Sequence, residues 1–457
     1  MTEKALNNMK DESTSMSNDD KTELRRAIGL PHATAMVAGT IIGASIFVQP
    51  SEITGQVPSV PGIFLVWLIS GVLTFFGALV CAELSSIFTR TGGVYIFLKE
   101  AFSPAVGFLW GWAMFWSMHS GIIAAVSVIF ARYTAYFIPL GDTGVKAVAI
   151  GVIAVLSAIN YLGVKHGSVL QTLFTAGKIA AIVLIIILGF VFGSGTEPHF
   201  AQGDLENSGI AVSGFFLALV AGLFAFGGWH MVTYNSEETI NPRRTIPRAL
   251  MYGTLIVTVC YIALNAVYMY ILPLDVVASS SRIAADAADA LFGTGGGSLM
   301  SALVIFSTFG SLSGIILCGP RVYYSMAKDG LLFKWVGEIH HRHRTPHKAI
   351  LLQAVWSSVL VATGTYRALF TRVVYTEWIF FGLMTIGLII FRKRTDLVRD
   401  YSIWGYPVVP LIFIVSSFVI VINQLVSDPK ESIAGLSLVV IGLPVYYIWT
   451  KIYAKRS

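Results

Sequence analysis

Two short stretches of small residues interrupt long apolar runs of the sequence and hold most of its information about the fold. The first reads GTIIGASIF at residues 39–47, and the second reads GLFAFGGW at residues 222–229. Glycine weakens a helix and permits the chain to unwind, although close helix packing alone also favours glycine. Two matched clusters favour the first explanation. An unwound segment in lipid frees backbone N–H and C=O groups that only a ligand, water or ion can satisfy.

The composition around these stretches is that of a membrane protein. Of 457 residues, 55% are hydrophobic and 12% are charged, which is too few charges to cover a water-facing surface. Each apolar run exceeds the length of a barrel strand, and backbone groups in lipid must satisfy one another, so the runs are helices. The predicted fold class is an all-α membrane protein with about twelve transmembrane helices of roughly 20 residues each. The predicted spans are residues 30–54, 62–89, 105–137, 146–163, 169–193, 211–236, 247–273, 297–325, 347–364, 370–391, 406–426 and 434–452.

Charges outside the spans predict the topology. Residues 1–24 are polar and of mixed charge, so we expect a disordered tail there, followed by one transporter domain over residues 25–457. Alternate connections are rich in Lys and Arg, whereas residues 193–208 contain acidic residues and no Lys or Arg. The positive-inside rule then places both termini in the cytoplasm of a multi-pass protein in the plasma or inner membrane. The net charge of +6 lies in these loops, so we expect no nucleic-acid partner.

The two breaks occupy corresponding positions in two five-helix blocks, at about residues 30–193 and 211–391. Span counting gives the blocks opposite orientations in the membrane, and two extra helices follow at about residues 406–452. This arrangement is typical of an inverted-repeat secondary transporter, whose substrate binds at the midplane between two discontinuous helices.

The polarity of the broken helices indicates what binds. A helix that starts near Ser45 and Ile46 presents N–H groups and a positive dipole end, which suit a carboxylate. Helix ends near Ile41, Phe224 and Gly227 present carbonyl groups, which suit an ammonium. A carboxylate beside an ammonium describes an α-amino acid.

Other classes of protein explain the sequence less well. A channel predicts rings of like residues and has no need of two half-helix ends. A membrane enzyme predicts a catalytic constellation, and the glycine-rich residues 293–298 lack the lysine of a nucleotide site. The histidine-rich residues 340–347 are interpreted as a solvated basic loop, because carboxylates are sparse beside them. We therefore expect no enzymatic activity, no cofactor and no metal.

These motifs also resemble those of the amino acid-polyamine-organocation (APC) superfamily, especially its L-type light-chain branch and related bacterial amino acid permeases. The resemblance covers about residues 25–455 and includes EETINP at 237–242, PRVYY at 320–324, KDG at 328–330 and WGYP at 404–407. It implies a leucine-transporter-type fold of five plus five inverted helices and two more, with sodium-independent exchange by alternating access. No acidic side chain lies beside either break, which favours neutral L-amino acids. The alternative is a proton-coupled amino acid or polyamine permease.

The resemblance also implies roles for individual residues. The N–H groups around Gly43, Ala44 and Ser45 would hold the carboxylate, Phe224 would be an aromatic gate, and Trp229 would line the pocket. Ser45 stands where the family often has glycine. The predicted substrate-binding residues are Ile41, Ile42, Gly43, Ala44, Ser45, Ile46, Phe224, Ala225, Gly227 and Trp229.

Three further polar residues lie inside predicted spans. A charge at Lys178 costs at least ~2 to 3 kcal/mol unless it snorkels or finds partners, and periodicity favours snorkelling. The resemblance instead implies an ammonium in the place of a sodium ion, bonded to carbonyls of the first break and to Ser311. His119 and Glu83 could relay protons, but a bond to a neighbouring helix and a pair with a basic loop residue are favoured.

The resemblance bears on partners as well as on substrate. Residues 140–143 lack the cysteine that tethers mammalian light chains to a heavy chain. We therefore expect no disulfide-linked heavy chain, and the expected partners are the amino acid substrate and the lipid bilayer.

Overall fold

The computed structural model describes residues 26–454, except residues 44, 163, 193–211, 344, 365 and 428. Within those residues the chain is a bundle of α-helices, and its β-structure is one isolated bridge between Ile28 and Thr239. The helices are α1 Leu30–Ile41, α2 Gln49–Gln56, α3 Val60–Ile87, α4 Val94–Ala101, α5 Pro104–Thr134, α6 Asp142–Leu162, α7 Val164–Phe192, α8 Val212–Ala225, α9 Pro242–Ile271, α10 Leu274–Ser279, α11 Ile283–Phe292, α12 Thr294–Lys328, α13 His347–Thr363, α14 Tyr366–Arg392, α15 Val408–Ser427 and α16 Pro429–Ala454.

The prediction of an all-α membrane protein is confirmed. In the described part of the chain, 11 helical segments are long and apolar enough to cross a membrane. The remaining predicted span, residues 347–364, corresponds to α13, which has 17 residues. A helix of that length is at the short end of the roughly 17–25 residues that span a bilayer.

Three helices between the spans were not predicted. They are α4, α10 and α11, which have 8, 6 and 10 residues and so are too short to give an apolar run of membrane length. Ser103 caps the N-terminus of α5, because its Oγ accepts a hydrogen bond from the Val106 N–H at 3.4 Å. Pro104 is the first residue of that helix. Helix α4 thereby places Tyr95 and Lys99 beside the end of α12.

Helices α1 and α8 lie at the centre of the bundle. Helix α1 contacts α7, α9 and α12, and α8 contacts α3, α14 and α15. Both helices stop within the bundle: α1 ends at Ile41, and a short 3-10 helix over Ser45–Phe47 leads to α2. Helix α8 ends at Ala225, and a 3-10 helix over Trp229–Glu238 follows. The structure therefore contains both predicted breaks.

Candidate functional site

The two interrupted helices meet at their breaks. The Thr40 Oγ1 atom lies 3.3 Å from the Gly228 carbonyl oxygen. Gly228 has φ +93°, a backbone conformation that favours glycine, and a Cβ atom there would lie only 3.3 Å from the Thr40 carbonyl oxygen. Glycine at this position therefore lets the segment after α8 approach the end of α1 closely.

Tyr261 of α9 joins the ends of the two helices. Its hydroxyl lies 2.8 Å from the Ile41 carbonyl oxygen and 3.2 Å from the Ala225 carbonyl oxygen, which are the last residues of α1 and α8. No motif indicated this role, because a tyrosine inside an apolar run is typical of ordinary packing. The breaks leave both carbonyl groups without helical partners, and the single hydroxyl hydrogen can be donated to one of them at a time.

The short helix that follows the break of α1 begins with N–H groups that have no helical partner. A tight turn joins the Gly43 N–H to the Ile41 carbonyl at 2.6 Å, and the first bond of the next helix joins the Val48 N–H to the Ser45 carbonyl at 3.0 Å. The N–H groups of Ser45 and Ile46 precede that bond and have no partner within the helix. Ala44, the third predicted carboxylate ligand, lies outside the described residues.

A pocket lies between the breaks and helices α5, α12 and α14. Most of its lining is apolar or glycine, as is typical of small-molecule sites. The lining residues are Thr40, Ile41, Gly43, Ser45, Ile122, Val126, Leu223, Phe224, Gly227, Gly228, Met231, Ile315, Val373, Val374 and Glu377.

Of the nine predicted substrate-binding residues that the structure describes, five lie in this lining and four do not. Ile41, Gly43, Ser45, Phe224 and Gly227 line the pocket. Those outside the lining are Ile42, Ile46, Ala225 and Trp229.

Trp229 was expected in the pocket, and the structure places it elsewhere. The left-handed turn at Gly228 redirects the chain, so the indole ring packs 5.0 Å from the Phe381 ring, between centroids. A Cβ atom at Gly77 would lie 2.8 Å from the same indole, so the ring fills the space over that glycine. Trp229 is therefore a packing residue between α3 and α14.

Phe224 and Phe226 differ in their surroundings although they are neighbours in sequence. Phe224 is 5% exposed, lines the pocket and lies 5.3 Å from the Phe370 ring of α14. Phe226 is fully buried, with its ring 5.0 Å from Tyr261 and 6.2 Å from Trp67. The structure thus separates a pocket residue from a packing residue.

The carbonyl groups that were predicted to hold an ammonium differ in how many further hydrogen bonds they can accept. The Ile41 carbonyl accepts bonds from the Gly43 N–H at 2.6 Å and the Tyr261 hydroxyl at 2.8 Å, which uses both of its lone pairs. The Phe224 carbonyl accepts one bond, from the Gly227 N–H at 2.9 Å. The Phe224 carbonyl at the end of α8 can therefore accept a further hydrogen bond from an ammonium, whereas the Ile41 carbonyl cannot.

Lys178 of α7 does not snorkel. Its side chain is 1% exposed, and its ammonium donates to the Gly39 carbonyl at 3.1 Å and the Ile42 carbonyl at 3.2 Å. It also contacts the Ser311 hydroxyl of α12, which itself lies 2.9 Å from the Ile42 carbonyl oxygen. Three acceptors match the three donors of an ammonium, so the cation joins α7, α12 and the break of α1.

Helix α14 brings a carboxyl group into the pocket that no motif indicated. Glu377 is 6% exposed and lines the pocket one turn after Val373 and Val374. In the described part of the chain its carboxyl group has no hydrogen-bond or ion-pair partner. The signal available in the sequence was a carboxylate inside a predicted span, which by itself suggests a functional position.

Ion pairs close the end of the bundle at which α12 ends, called here the closed face and defined by Arg90, Lys99 and Asp329. The Asp329 carboxylate lies 2.7 Å from Lys99 Nζ, 2.7 Å from the Tyr95 hydroxyl and 3.2 Å from Arg90 Nη2. Burial acts to raise the pKa of Asp329, but bonds from Lys99 and Tyr95 outweigh it and lower the pKa below its ordinary value. The carboxylate is therefore ionised at neutral pH.

A second pair lies beside the start of α1. Arg321 of α12 donates from Nε and Nη2 to the two carboxylate oxygens of Glu238, at 3.1 and 3.2 Å, and both side chains are buried. The Glu238 backbone carbonyl also accepts from the N–H groups of Ala27 and Ile28, at 2.9 and 3.0 Å. The segment before α1 is thus fixed to the chain that follows the second break.

His119 and Glu83 make the structural contacts that were favoured for them. His119 Nε2 lies 2.9 Å from the Ile315 carbonyl oxygen on α12. Glu83 Oε2 lies 2.5 Å from Arg392 Nη2 and accepts from the Ile403 N–H at 2.8 Å.

Comparison with known proteins gives matches over nearly the whole chain. Residues 28–447 match the family described as amino acid permease. The serine/threonine exchanger SteT of Bacillus subtilis (strain 168) is 33% identical over 430 residues, which are 93% of this chain and 97% of that protein. The b(0,+)-type amino acid transporter 1 of Homo sapiens is 30% identical over 448 residues, or 96% and 91% of the two chains. The human cystine/glutamate transporter is 29% identical over 450 residues, or 94% and 87%.

Proposed function

The chain belongs to the amino acid permease family, and from this we propose that it exchanges neutral L-amino acids by alternating access without sodium. As a member of that family it is an amino acid transporter rather than an enzyme. It is a multi-pass membrane protein, with 11 candidate spans in the described residues.

The single observation that carries the proposal is the position of Lys178. Its ammonium bonds to the Gly39 and Ile42 carbonyls at the break of α1, at 3.1 and 3.2 Å, and contacts Ser311 of α12. A dissociable cation at this place would need the same oxygen atoms as ligands. Because the lysine already occupies them, the break is stabilised without an ion from solution, which supports sodium-independent transport.

The backbone groups of the pocket support an α-amino acid as substrate. The N–H group of Ser45, which lines the pocket, lies at a helix start, where a carboxylate is favoured. The carbonyls of Phe224 and Gly227 lie at the other break, where an ammonium is favoured. Neither break carries an acidic side chain, which supports neutral substrates. Exchange is supported by the name of the similar protein SteT, a serine/threonine exchanger.

The proposal includes a topology. We assign residues 30–193 and 211–391 to two inverted repeats and place both termini and the closed face in the cytoplasm, because cations cluster in the loops on that side. Transport by alternating access then requires the contacts of the closed face to break and re-form in each cycle. We expect no disulfide-linked heavy chain.

Exchange in proteoliposomes tests this function. The purified protein would be reconstituted with or without internal serine, and uptake of labelled serine, alanine and leucine would be measured with sodium replaced by choline. We expect uptake that needs internal amino acid and is the same in choline and in sodium. Strict dependence on sodium would contradict the assignment of Lys178.

A second candidate function is proton-coupled transport of amino acids or polyamines, and Glu377 favours it. A carboxyl group without a partner in a mostly apolar pocket is a group that can take up a proton. Uptake into empty proteoliposomes under an imposed pH gradient would support this second function in place of exchange.

A further inference from the structure

Glu377 has no role in the contacts described so far. Among the described residues that line the pocket, it is the only one with an ionisable side chain. It is 6% exposed, and no cation or hydrogen-bond donor of the described chain contacts its carboxyl group. A buried carboxylate without a partner is costly, so the group either takes up a proton or is compensated by a cation that enters the pocket.

Under the proposed function, the main-chain groups of an amino acid substrate have partners of their own at the two breaks. The N–H group at Ser45 complements the carboxylate, and carbonyl groups at Phe224 and Gly227 complement the ammonium. These groups belong to the two breaks, whereas Glu377 enters the pocket from α14. Its negative charge is therefore additional to those that an α-amino acid needs.

The surroundings of Glu377 fit a cation on an alkyl stem. The pocket walls beyond the breaks are the aliphatic side chains of Ile122, Val126, Val373 and Val374. Methylene groups pack favourably on such walls, and a charged group at the end of the chain then needs a partner of opposite sign. Glu377 is the one such partner among the described lining residues.

We propose that Glu377 selects the charge of the substrate side chain and extends the range of the exchanger to cationic L-amino acids such as ornithine and lysine. The inference rests on the proposed function and names a substrate class for the same pocket. A cationic side chain pairs with the carboxylate directly. A neutral substrate leaves the carboxyl group to be satisfied by a proton or by water.

Ornithine and citrulline test the proposal, because both carry three side-chain methylene groups and differ in the charge of the group that ends the chain. In proteoliposomes loaded with unlabelled amino acid, we expect the wild type to take up ornithine at least about tenfold faster than citrulline at low concentration. Glu377→Gln keeps the shape of the side chain and removes its charge. We expect it to lower ornithine uptake about tenfold or more while citrulline uptake is retained, and Glu377→Asp to keep the preference for ornithine.

A control variant and a binding measurement distinguish this role of Glu377 from a structural one. Asp275→Asn removes an exposed carboxylate on α10 and should leave the ratio of ornithine to citrulline unchanged. In detergent, ornithine should raise the Tm of the wild type more than citrulline does, and Glu377→Gln should abolish that difference.

The possible outcomes distinguish the two proposals. Uptake of neutral amino acids without ornithine uptake, or an unchanged ratio in Glu377→Gln, overturns the role of Glu377 and leaves the proposed function intact. An equal loss of both substrates in Glu377→Gln also overturns charge selection. If the wild type exchanges no amino acid of either charge, the proposed function itself is wrong.

Discussion

At the scale of single residues, Phe224 provides the clearest test of the pocket. Phe224 borders open space, so Phe224→Ala enlarges a pocket that already exists. Phe226→Ala would instead empty a packed position between Trp67 and Tyr261, at a cost of about 3–5 kcal/mol for a buried phenylalanine. We expect Phe224→Ala to lower exchange about tenfold and to lower Tm less than Phe226→Ala does. Normal flux in a correctly inserted Phe224→Ala protein would show that the ring does not contact the substrate.

Ser45 tests the carboxylate side of the same pocket. A carboxylate must approach the N–H groups at the start of the 3-10 helix, and the Ser45 side chain borders that approach. Ser45→Gly should keep the apparent affinity, whereas Ser45→Val, which adds bulk and loses the hydroxyl, should raise KM about tenfold. The two KM values would be compared in proteoliposomes at equal protein content. If they agree within error, the substrate carboxylate does not lie at this residue.

At the scale of elements, the break in α1 is held from two sides. Tyr261 of α9 bonds to the Ile41 carbonyl, and Lys178 of α7 bonds to those of Gly39 and Ile42. Both partners come from helices outside the break, so the unwound segment is a fixed part of the bundle rather than a loose one.

Lys178→Ala should therefore impair transport through its effect on the break of α1, although the lysine itself lies in α7. Without the ammonium, the Gly39 carbonyl loses its lysine partner inside the bundle and the Ile42 carbonyl keeps only the Ser311 hydroxyl. An unsatisfied buried group costs about 1–3 kcal/mol. We expect flux to fall at least about tenfold in choline medium. Lys178→Met keeps the stem and removes the charge, so it should fail in the same way.

Lys393→Ala, at an exposed lysine after α14, is the matched control and should behave like the wild type. Full activity of Lys178→Met would mean that only the stem of Lys178 matters. Recovery of Lys178→Ala on addition of sodium would show that an ion can replace the lysine.

The elements also show what the sequence predicts and what it cannot. Long apolar runs locate the spans, because membrane thickness fixes their length. Helices α4, α10 and α11 lack such a run. The glycine motifs locate both breaks, yet the orientation of Trp229 depends on the backbone turn at Gly228, and the position of Glu377 depends on how α14 packs against α5 and α8. Those contacts join parts of the chain that are distant in sequence.

At the scale of the whole molecule, the closed face provides the test of alternating access. Asp329 joins α12 to Lys99 of α4 and to Arg90, and Asp329→Asn removes the charge on which those contacts depend. We expect this variant to open the closed face more often and to raise alkylation of the buried Cys318 about tenfold, in a background with alanine at Cys81 and Cys260. Asp396→Asn, at an exposed carboxylate, is the control and should leave the labelling rate unchanged. Equal rates in the three proteins would contradict a gating role for Asp329.

The pH dependence of the same cluster follows from the direction of the Asp329 shift. Its pKa is lower in the folded protein than the ordinary value of about 3.9, so its stabilising contribution is complete above that value. The contribution is lost only as pH falls through the lowered folded pKa. We therefore expect the rate of Cys318 alkylation not to rise between pH 8 and pH 5. Each rate is divided by that of the unfolded protein at the same pH, because the reactivity of a thiol itself depends on pH. A rise within that range would assign the opening to a different group.

The ammonium of Lys178 is attached to the protein by covalent bonds, so it cannot couple transport to an ion gradient as a dissociable cation would. It stays with the protein at every turnover, so no ion gradient is dissipated through this position and none can drive accumulation there. When one amino acid enters for each one that leaves, exchange stops once every neutral substrate has the same ratio of inside to outside concentration. Such a carrier changes the composition of the cellular amino acid pool and leaves its size to other transporters.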